Sequence, residues 1–282
     1  MAENESLYSY VPSVAAAGIF IAIFLVLLIV HVFRIIRTHT WFCIPFIIGT
    51  IFEIIGYAAR AMGKSKPYNK GPYIIQALLI LLAPILFAAS IYMLLGRIIR
   101  ATGSASYCMV RLKWLTKIFV GGDIVCFLAQ AGGGGILAGA DSKKSADLGK
   151  AVILTGLCLQ MVIFGLFLVV AGVWQRRMNS SGMKGGSPSF DWARYLTMLY
   201  VASVIITVRN LFRVIEYAMG EEGYLLANEW PIYVFDAALM VIVLAICSTW
   251  YVGDVLRKAE QDQRDRFVMM EQVDAERSNI IR

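Results

Sequence analysis

Seven apolar runs, each near or beyond the ~20 residues an α-helix needs to cross a bilayer, decide what this chain can fold into. They lie at 11–33, 41–62, 73–96, 114–140, 150–174, 192–220 and 230–253. In hydrocarbon every backbone N–H and C=O must be satisfied within its own segment, so such runs form helices. The expectation is an all-α membrane protein, with seven transmembrane helices in residues 1–253 and a charged tail at 254–282. Composition agrees: only 16% of residues are charged, too few to cover a soluble surface of this length. Glu3 and Glu5 precede the first run and no basic residue does, so that run reads as a retained helix and not as a cleaved leader.

Lysine and arginine set the orientation. Seventeen flank one set of helix ends, including Arg34, Arg97, Arg111, Arg176 and the tail, against seven at the other, including Arg60, Lys70 and Lys143. The rich side is cytoplasmic, which puts the N-terminus outside and the C-terminus in the cytoplasm. The net charge of +7 therefore belongs to topology and anionic lipid headgroups, and no nucleic-acid partner is expected. Trp41, Trp114, Trp174, Trp192, Trp230 and Trp250 all fall near run ends, where an aromatic belt sits. Cys43, Cys108, Cys126, Cys158 and Cys247 lie outside any exoplasmic loop on this topology. They read as small apolar packing residues, not as a disulfide framework.

Polar groups inside spans are costly and face an interior or a cavity. Glu53, Tyr57 and Arg60 recur at helical spacing in the second run, on one face. Arg209, Arg213 and Glu216, with Asn210 and Tyr217, do so in the sixth, and Glu229, Tyr233 and Asp236 in the seventh. Gln76, Asp123, Gln130 and Gln160 add one or two polar groups to each intervening helix. At 1.5 Å per residue most of this set falls in the exoplasmic half, and Asp123 in the inner half. Two readings stand side by side. In one, Glu53, Glu216 and Asp236 neutralise Arg60, Arg209 and Arg213 to fix helix register. In the other, the set lines a pocket for a polar or charged headgroup.

An internal repeat is visible at a shift of 160 residues. Phe52-Glu53-Ile54-Ile55-Gly56-Tyr57-Ala58 lies over Phe212-Arg213-Val214-Ile215-Glu216-Tyr217-Ala218, and Gln76 lies over Asp236. Helices 2 and 3 thus resemble helices 6 and 7 in the same orientation, a parallel 3+1+3 arrangement of the kind found in transporters. Pro45, Pro84 and the run Gly132-Gly133-Gly134-Gly135 interrupt their spans. Pro45 reads as a kink, and the glycine run as a helix end or break near the outer side.

His31 and His39 are the only histidines, so a three-histidine zinc site cannot be built; His31 reads as a boundary residue. No G-x-x-x-x-G-K-[ST] or G-x-S-x-G run is present. No metal, no cofactor and no catalytic residues are expected.

Six motifs in order then carry a resemblance. They are Glu53-x-x-Gly56-Tyr57-x-x-Arg60; Gln76 through Pro84 to Ala89-Ser90-Ile91-Tyr92-Met93; Asp123 with Gln130-Ala131-Gly132-Gly133; Gly156-x-x-x-Gln160; Arg209-x-x-Phe212-Arg213-x-x-Glu216-Tyr217; and Glu229-x-x-x-Tyr233-x-Phe235-Asp236. Together they resemble the fungal lipid-translocating exporters, seven-helix proteins linked to 7-aminocholesterol resistance and release of sphingoid long-chain bases. The resemblance runs from about 8 to 251. It implies plasma-membrane or internal-membrane residence, and movement of lipids or amphiphiles (sphingoid bases, sterol-like compounds, porphyrins in some relatives) in stress or drug resistance. The alternative is a seven-helix receptor or sensor for a lipid or porphyrin. The expected ligand-binding set is Glu53, Tyr57, Arg60, Gln76, Gln130, Gln160, Arg209, Asn210, Arg213, Glu216, Tyr217, Tyr233 and Asp236.

Overall fold

A computed structural model describes residues 12–65, 69–140, 142–180, 191–219 and 228–249, with isolated positions at 225, 261, 265, 268, 269 and 272. The charged tail beyond 253 and Trp250 therefore lie outside the described residues, apart from those isolated positions. The described chain is all-helical. Six of its helices are long and apolar enough to cross a membrane, and the protein is an integral membrane protein.

Helix α1 spans Val14–Thr38, with the Ser13 side chain accepting from the Ala16 N–H at its start. A 3-10 turn at Trp41–Cys43 leads into α2, Ile44–Gly63. Pro45 stands in the first turn of α2, where its missing N–H costs nothing; it opens the helix and does not kink it. Next come α3, Lys70–Ala101, α4, Leu112–Ala138, α5, Lys143–Ser180, and α6, Trp192–Met219. Helix α7 starts as Trp230–Ile232, passes through a π-helical segment at Tyr233–Ala238 and continues as Leu239–Thr249. The expected runs match these helices in order, and α5 extends several residues beyond its run at both ends. Helix α4 is outside the set of six spans. Lys113, Lys117, Asp123, Gln130 and four consecutive glycines dilute its apolar character.

Successive helices pack side by side, and α3 also touches α6 while α7 touches α1 and α6. This places α3 at the centre, with 72% of its apolar window buried, and α1 at the periphery, with 17%. Small residues allow the backbones to approach. A Cβ on Gly49 would meet the Phe87 ring, and one on Gly56 would meet Ile80 Cγ1 at 2.7 Å, so α2 lies hard against α3. The run Gly132-Gly133-Gly134-Gly135 does not break its helix, as expected from sequence; α4 continues through it to Ala138. Gly133 and Gly149 face each other across the α4–α5 contact, each within 2.9 Å of the other's carbonyl oxygen once a Cβ is added.

Two further expectations are corrected. Trp41, Trp114 and Trp230 are exposed as a belt requires, but Trp174 is fully buried and donates from Nε1 to Ser104 Oγ at 3.0 Å. His31 is no boundary residue either: it is buried and donates from Nε2 to the Leu244 carbonyl of α7 at 3.1 Å. All five cysteines are free; Cys43, Cys126 and Cys247 are buried, whereas Cys158 is exposed on α5.

The glycine contact sets a test. Gly149→Ala drives a methyl into backbone atoms of α4 that cannot rotate away, and overpacking of this kind costs about 1–3 kcal/mol. Gly134→Ala meets nothing within 4 Å and removes a glycine from a helix interior, a gain of up to ~1 kcal/mol. Thermal unfolding of the purified chain in detergent should show a lowered midpoint for the first variant and an unchanged or raised one for the second.

Candidate functional site

The polar residues singled out in α2, α6 and α7 converge near one end of the bundle, where α1, α3 and α7 begin and α2 and α6 end. Asp236 is the hub. It sits in the π-helical segment of α7, is fully buried, and accepts from Arg209 Nε at 2.5 Å through one oxygen and from Arg213 Nη2 through the other. Arg213 Nη1 also donates to Glu216 Oε2 at 2.7 Å, one turn along α6. Arg209 Nη1 reaches Asn210 Oδ1 at 3.4 Å. Two arginines and two carboxylates thus form a balanced set with every charge within hydrogen-bond distance of its opposite, as a low-dielectric interior demands.

The remaining donor of Arg209 explains a proline. Pro84 lies inside α3 and has no N–H to give to the carbonyl four residues earlier. That carbonyl belongs to Ile80, and Arg209 Nη2 donates to it at 2.9 Å. The break read in the sequence at Pro84 is therefore a socket for the arginine of α6.

Arg60 leaves this set and pairs with Glu229 at 3.2 Å, while its Nε donates to Tyr233 OH at 3.2 Å. The Tyr233 hydroxyl lies 3.1 Å from Glu229 Oε1. Glu229 also accepts the Ser13 backbone N–H on both oxygens at 2.9 Å. One carboxylate thereby ties the starts of α1 and α7 to the end of α2. Below it, Phe20 and Phe24 of α1 stack on Tyr57 and Tyr233, with Phe20 and Tyr233 nearly parallel at 5.4 Å.

Glu53 is the exception. It is fully buried, and neither carboxyl oxygen has a hydrogen-bond partner. Asp236, Arg209 and Arg213 are its charged neighbours; these bond to one another, with Arg213 Nε left without a partner. Tyr57, one turn along α2, is equally buried with its hydroxyl unpartnered. The expected pairing of Glu53 with an arginine is thus not made, and Arg60 finds Glu229 instead.

The other expected residues lie around this centre or apart from it. Gln76 is buried on α3 one turn before Ile80. Tyr217 is half-buried and packs on the small apolar cluster of Leu81, Ile153 and Leu157. Gln130 and Gln160 bond to each other, Nε2 to Oε1 at 2.8 Å, across the α4–α5 interface. Among the described residues no group of three or more His, Cys, Asp or Glu is placed to hold a metal ion.

A family model described as "RTA1 like protein" matches residues 46–259, a segment containing every expected site residue. The chain belongs to the RTA1-like family. It is 31% identical over 277 residues to Protoporphyrin uptake protein 1 of Saccharomyces cerevisiae, covering 86% of this chain and 90% of that relative. It is 36% identical over 203 residues to Protein RTM1 of Saccharomyces cerevisiae, covering 72% of this chain and 65% of the relative. To the Sphingoid long-chain base transporter RSB1 of the same species it is 25% identical over 286 residues, covering 89% and 75%. No solved structure matches. The resemblance carried by the six motifs is thus the family itself.

Within this RTA1-like chain, sequence reading missed the partner of Arg60 and the partner of Ile80. Glu229 shares spacing with Tyr233 and Asp236, but its place before the run kept it out of the expected site. The Ile80 carbonyl was legible in principle, because a proline four residues on always frees one. The aromatic stack involves Phe20 and Phe24 of α1, which precedes the segment matched by the family model; their apolar side chains gave no signal in a run of similar residues.

The hub and the outlier respond differently to loss of charge. Asp236→Asn leaves the buried Arg209 without an acid and Arg213 with Glu216 alone, and breaking a buried pair costs ~3–5 kcal/mol; the variant should unfold at a markedly lower temperature. Glu53→Gln breaks no hydrogen bond and should keep the wild-type midpoint within a few degrees.

Proposed function

We propose that this RTA1-like protein translocates lipid-like amphiphiles across the membrane, and that the α2–α6–α7 cluster receives the ligand's headgroup. The observation that carries the reading is Glu53, a buried carboxyl without a hydrogen-bond partner beside an ion network in which Arg213 Nε is also unpartnered. Buried ionisable groups inside a membrane are expensive, and one that stabilises nothing around it has its use elsewhere. Two relatives bear names that refer to a sphingoid base transporter and a protoporphyrin uptake protein, both concerned with amphiphiles. A sphingoid base carries an ammonium and suits Glu53; a porphyrin carboxylate or an anionic sterol conjugate suits Arg209 and Arg213.

The reading includes topology. Helix α4 crosses the membrane as the seventh span, the N-terminus is outside, the tail is cytoplasmic, and the plasma membrane is the residence. The cluster then lies in the exoplasmic half. The parallel duplication fits, since the shift of 160 places Glu53 over Arg213 and Gln76 over Asp236, and all four are buried polar positions. Access is lateral, past α1, the least buried helix, whose start is held by the Glu229 contacts. The chain performs no chemistry on its ligand.

The test is leaflet exchange in liposomes with a fluorescent sphingoid base and a fluorescent phospholipid. Wild-type protein should accelerate exchange of the base. Glu53→Gln, which leaves the fold intact, should slow it at least ten-fold, and Arg213→Gln should do so at a cost in stability. Tight binding of the base with no exchange would replace the translocator by a lipid-holding receptor or sensor, the reading favoured by the closure of the ion network around Asp236.

A further inference from the structure

A second buried carboxyl lacks a cation, and it lies outside the cluster described above. Asp123 of α4 is 1% exposed. Its Oδ2 accepts from Tyr92 OH of α3 at 2.8 Å, and its Oδ1 has no partner. Among the described residues no lysine, arginine or histidine forms an ion pair with it. At 1.5 Å per residue, Asp123 stands ~17 Å from the start of α4 and Tyr92 ~14 Å from the end of α3. This carboxyl is thus nearer the opposite end of the bundle from Arg60 and Glu229.

Its surroundings are aromatic. The Tyr92 ring centroid lies 4.5 Å from that of Phe167, 5.6 Å from Phe119 and 6.0 Å from Phe164. Phe119 is one turn before Asp123 on α4, so both sit on the same face. Phe119 and Phe167 meet edge to face at 5.5 Å. A buried carboxylate oxygen without a partner, whose other oxygen is bonded to a tyrosine packed on three phenylalanine rings, is chemistry suited to an organic ammonium. Inorganic cations are poor candidates, since one carboxylate and no other oxygen cluster cannot replace a hydration shell. Anions are repelled outright.

The neighbouring surface says which ammonium. Ile124, Val125 and Leu128 of α4 are 47–63% exposed on a helix that otherwise packs against α3 and α5. A Cβ on Gly121 would meet nothing within 4 Å. A ligand head at Asp123 therefore lies about one helix width from the lipid-facing side, where an alkyl tail finds hydrocarbon.

We infer that Asp123, with Tyr92, Phe119, Phe164 and Phe167, forms a binding site for the primary ammonium head of a long-chain amine, whose tail lies along the exposed face of α4. The site is separate from the Glu53 cluster, and it stands whether or not the protein translocates its ligand. If it does, the two cation-free carboxyls mark two depths for one ammonium.

The experiment uses the full chain in phospholipid nanodiscs and two photoreactive probes: a dodecylamine with a diazirine next to the amine, and the matching alcohol. The amine should label peptides containing Phe119–Asp123 and Phe164–Phe167, with saturation and with competition by unlabelled dodecylamine; the alcohol should not. Asp123→Asn retains an acceptor for the Tyr92 hydroxyl and should lower this labelling at least ten-fold, whereas Gly134→Ala, which meets nothing within 4 Å, should leave it unchanged. Equal labelling by amine and alcohol, or undiminished labelling in a folded Asp123→Asn variant, overturns the site. Should that variant fail to fold, the amine-to-alcohol contrast in the wild type decides alone. Labelling needs no transport, so loss of leaflet exchange with labelling intact would remove the translocator reading and leave this site standing.

Discussion

A carboxylate in hydrocarbon is costly without cations at hydrogen-bond distance, and Asp236 has two. Arg209 and Arg213 reach it from successive turns of α6, one to each oxygen. This bridge fixes the rotation of α6 against α7, because no other orientation of either helix satisfies three buried charges at once. The π-helical segment that carries Asp236 belongs to the same constraint. An extra residue in the turn re-aims a side chain without breaking the helix, and here the re-aimed side chain is the one that must meet two guanidinium groups.

From that bridge the constraint spreads to the rest of the bundle through backbone and not only through side chains. The Arg209 donor left over after Asp236 and Asn210 goes to the Ile80 carbonyl, which exists as a free acceptor because Pro84 has no N–H. Helix α3 is thereby pinned to α6 at a point where its own ladder is interrupted. Gly56 brings α2 against Ile80 on the same stretch of α3. The centre of the protein is held by one proline, one glycine and one arginine acting on a single turn of helix. Helix α1 is anchored in the core by the His31 bond to the Leu244 carbonyl of α7. It relies also on the Ser13 N–H at Glu229 and on stacked rings, consistent with its mostly lipid-facing surface.

Length and hydropathy were enough to read the helices and their order, because the bilayer leaves a spanning segment almost no other choice. The residues of the site were legible for a related reason: Arg209, Arg213, Glu216 and Asp236 stand out against apolar neighbours, and helical spacing puts them on common faces. Partners were not legible. Spacing along one helix says nothing of which acid on another helix an arginine finds, so Glu53 was paired with arginines that the structure gives to Asp236. Glycines misled in a different way. Gly132-Gly133-Gly134-Gly135 looks like a break in any soluble helix, where water can take the freed backbone groups. Here the helix persists, and the missing side chains become room for α5. Trp174 shows the same limit of one-dimensional reading: its position along the chain suits an interfacial belt, yet its face of α5 is turned inward to Ser104.

Among the described residues, the two carboxyls left without cations differ from the other buried charges. Arg60, Arg209 and Arg213 each have an acid, and Glu216, Glu229 and Asp236 each have an arginine. Glu53 and Asp123 have none, and they sit on different helices at different depths. Register alone does not require them, since a glutamine or asparagine at either position would offer hydrogen-bonding groups without an ionisable proton. A membrane interior selects strongly against surplus acids. On the reading proposed above, the cation that each of them meets comes from outside the chain.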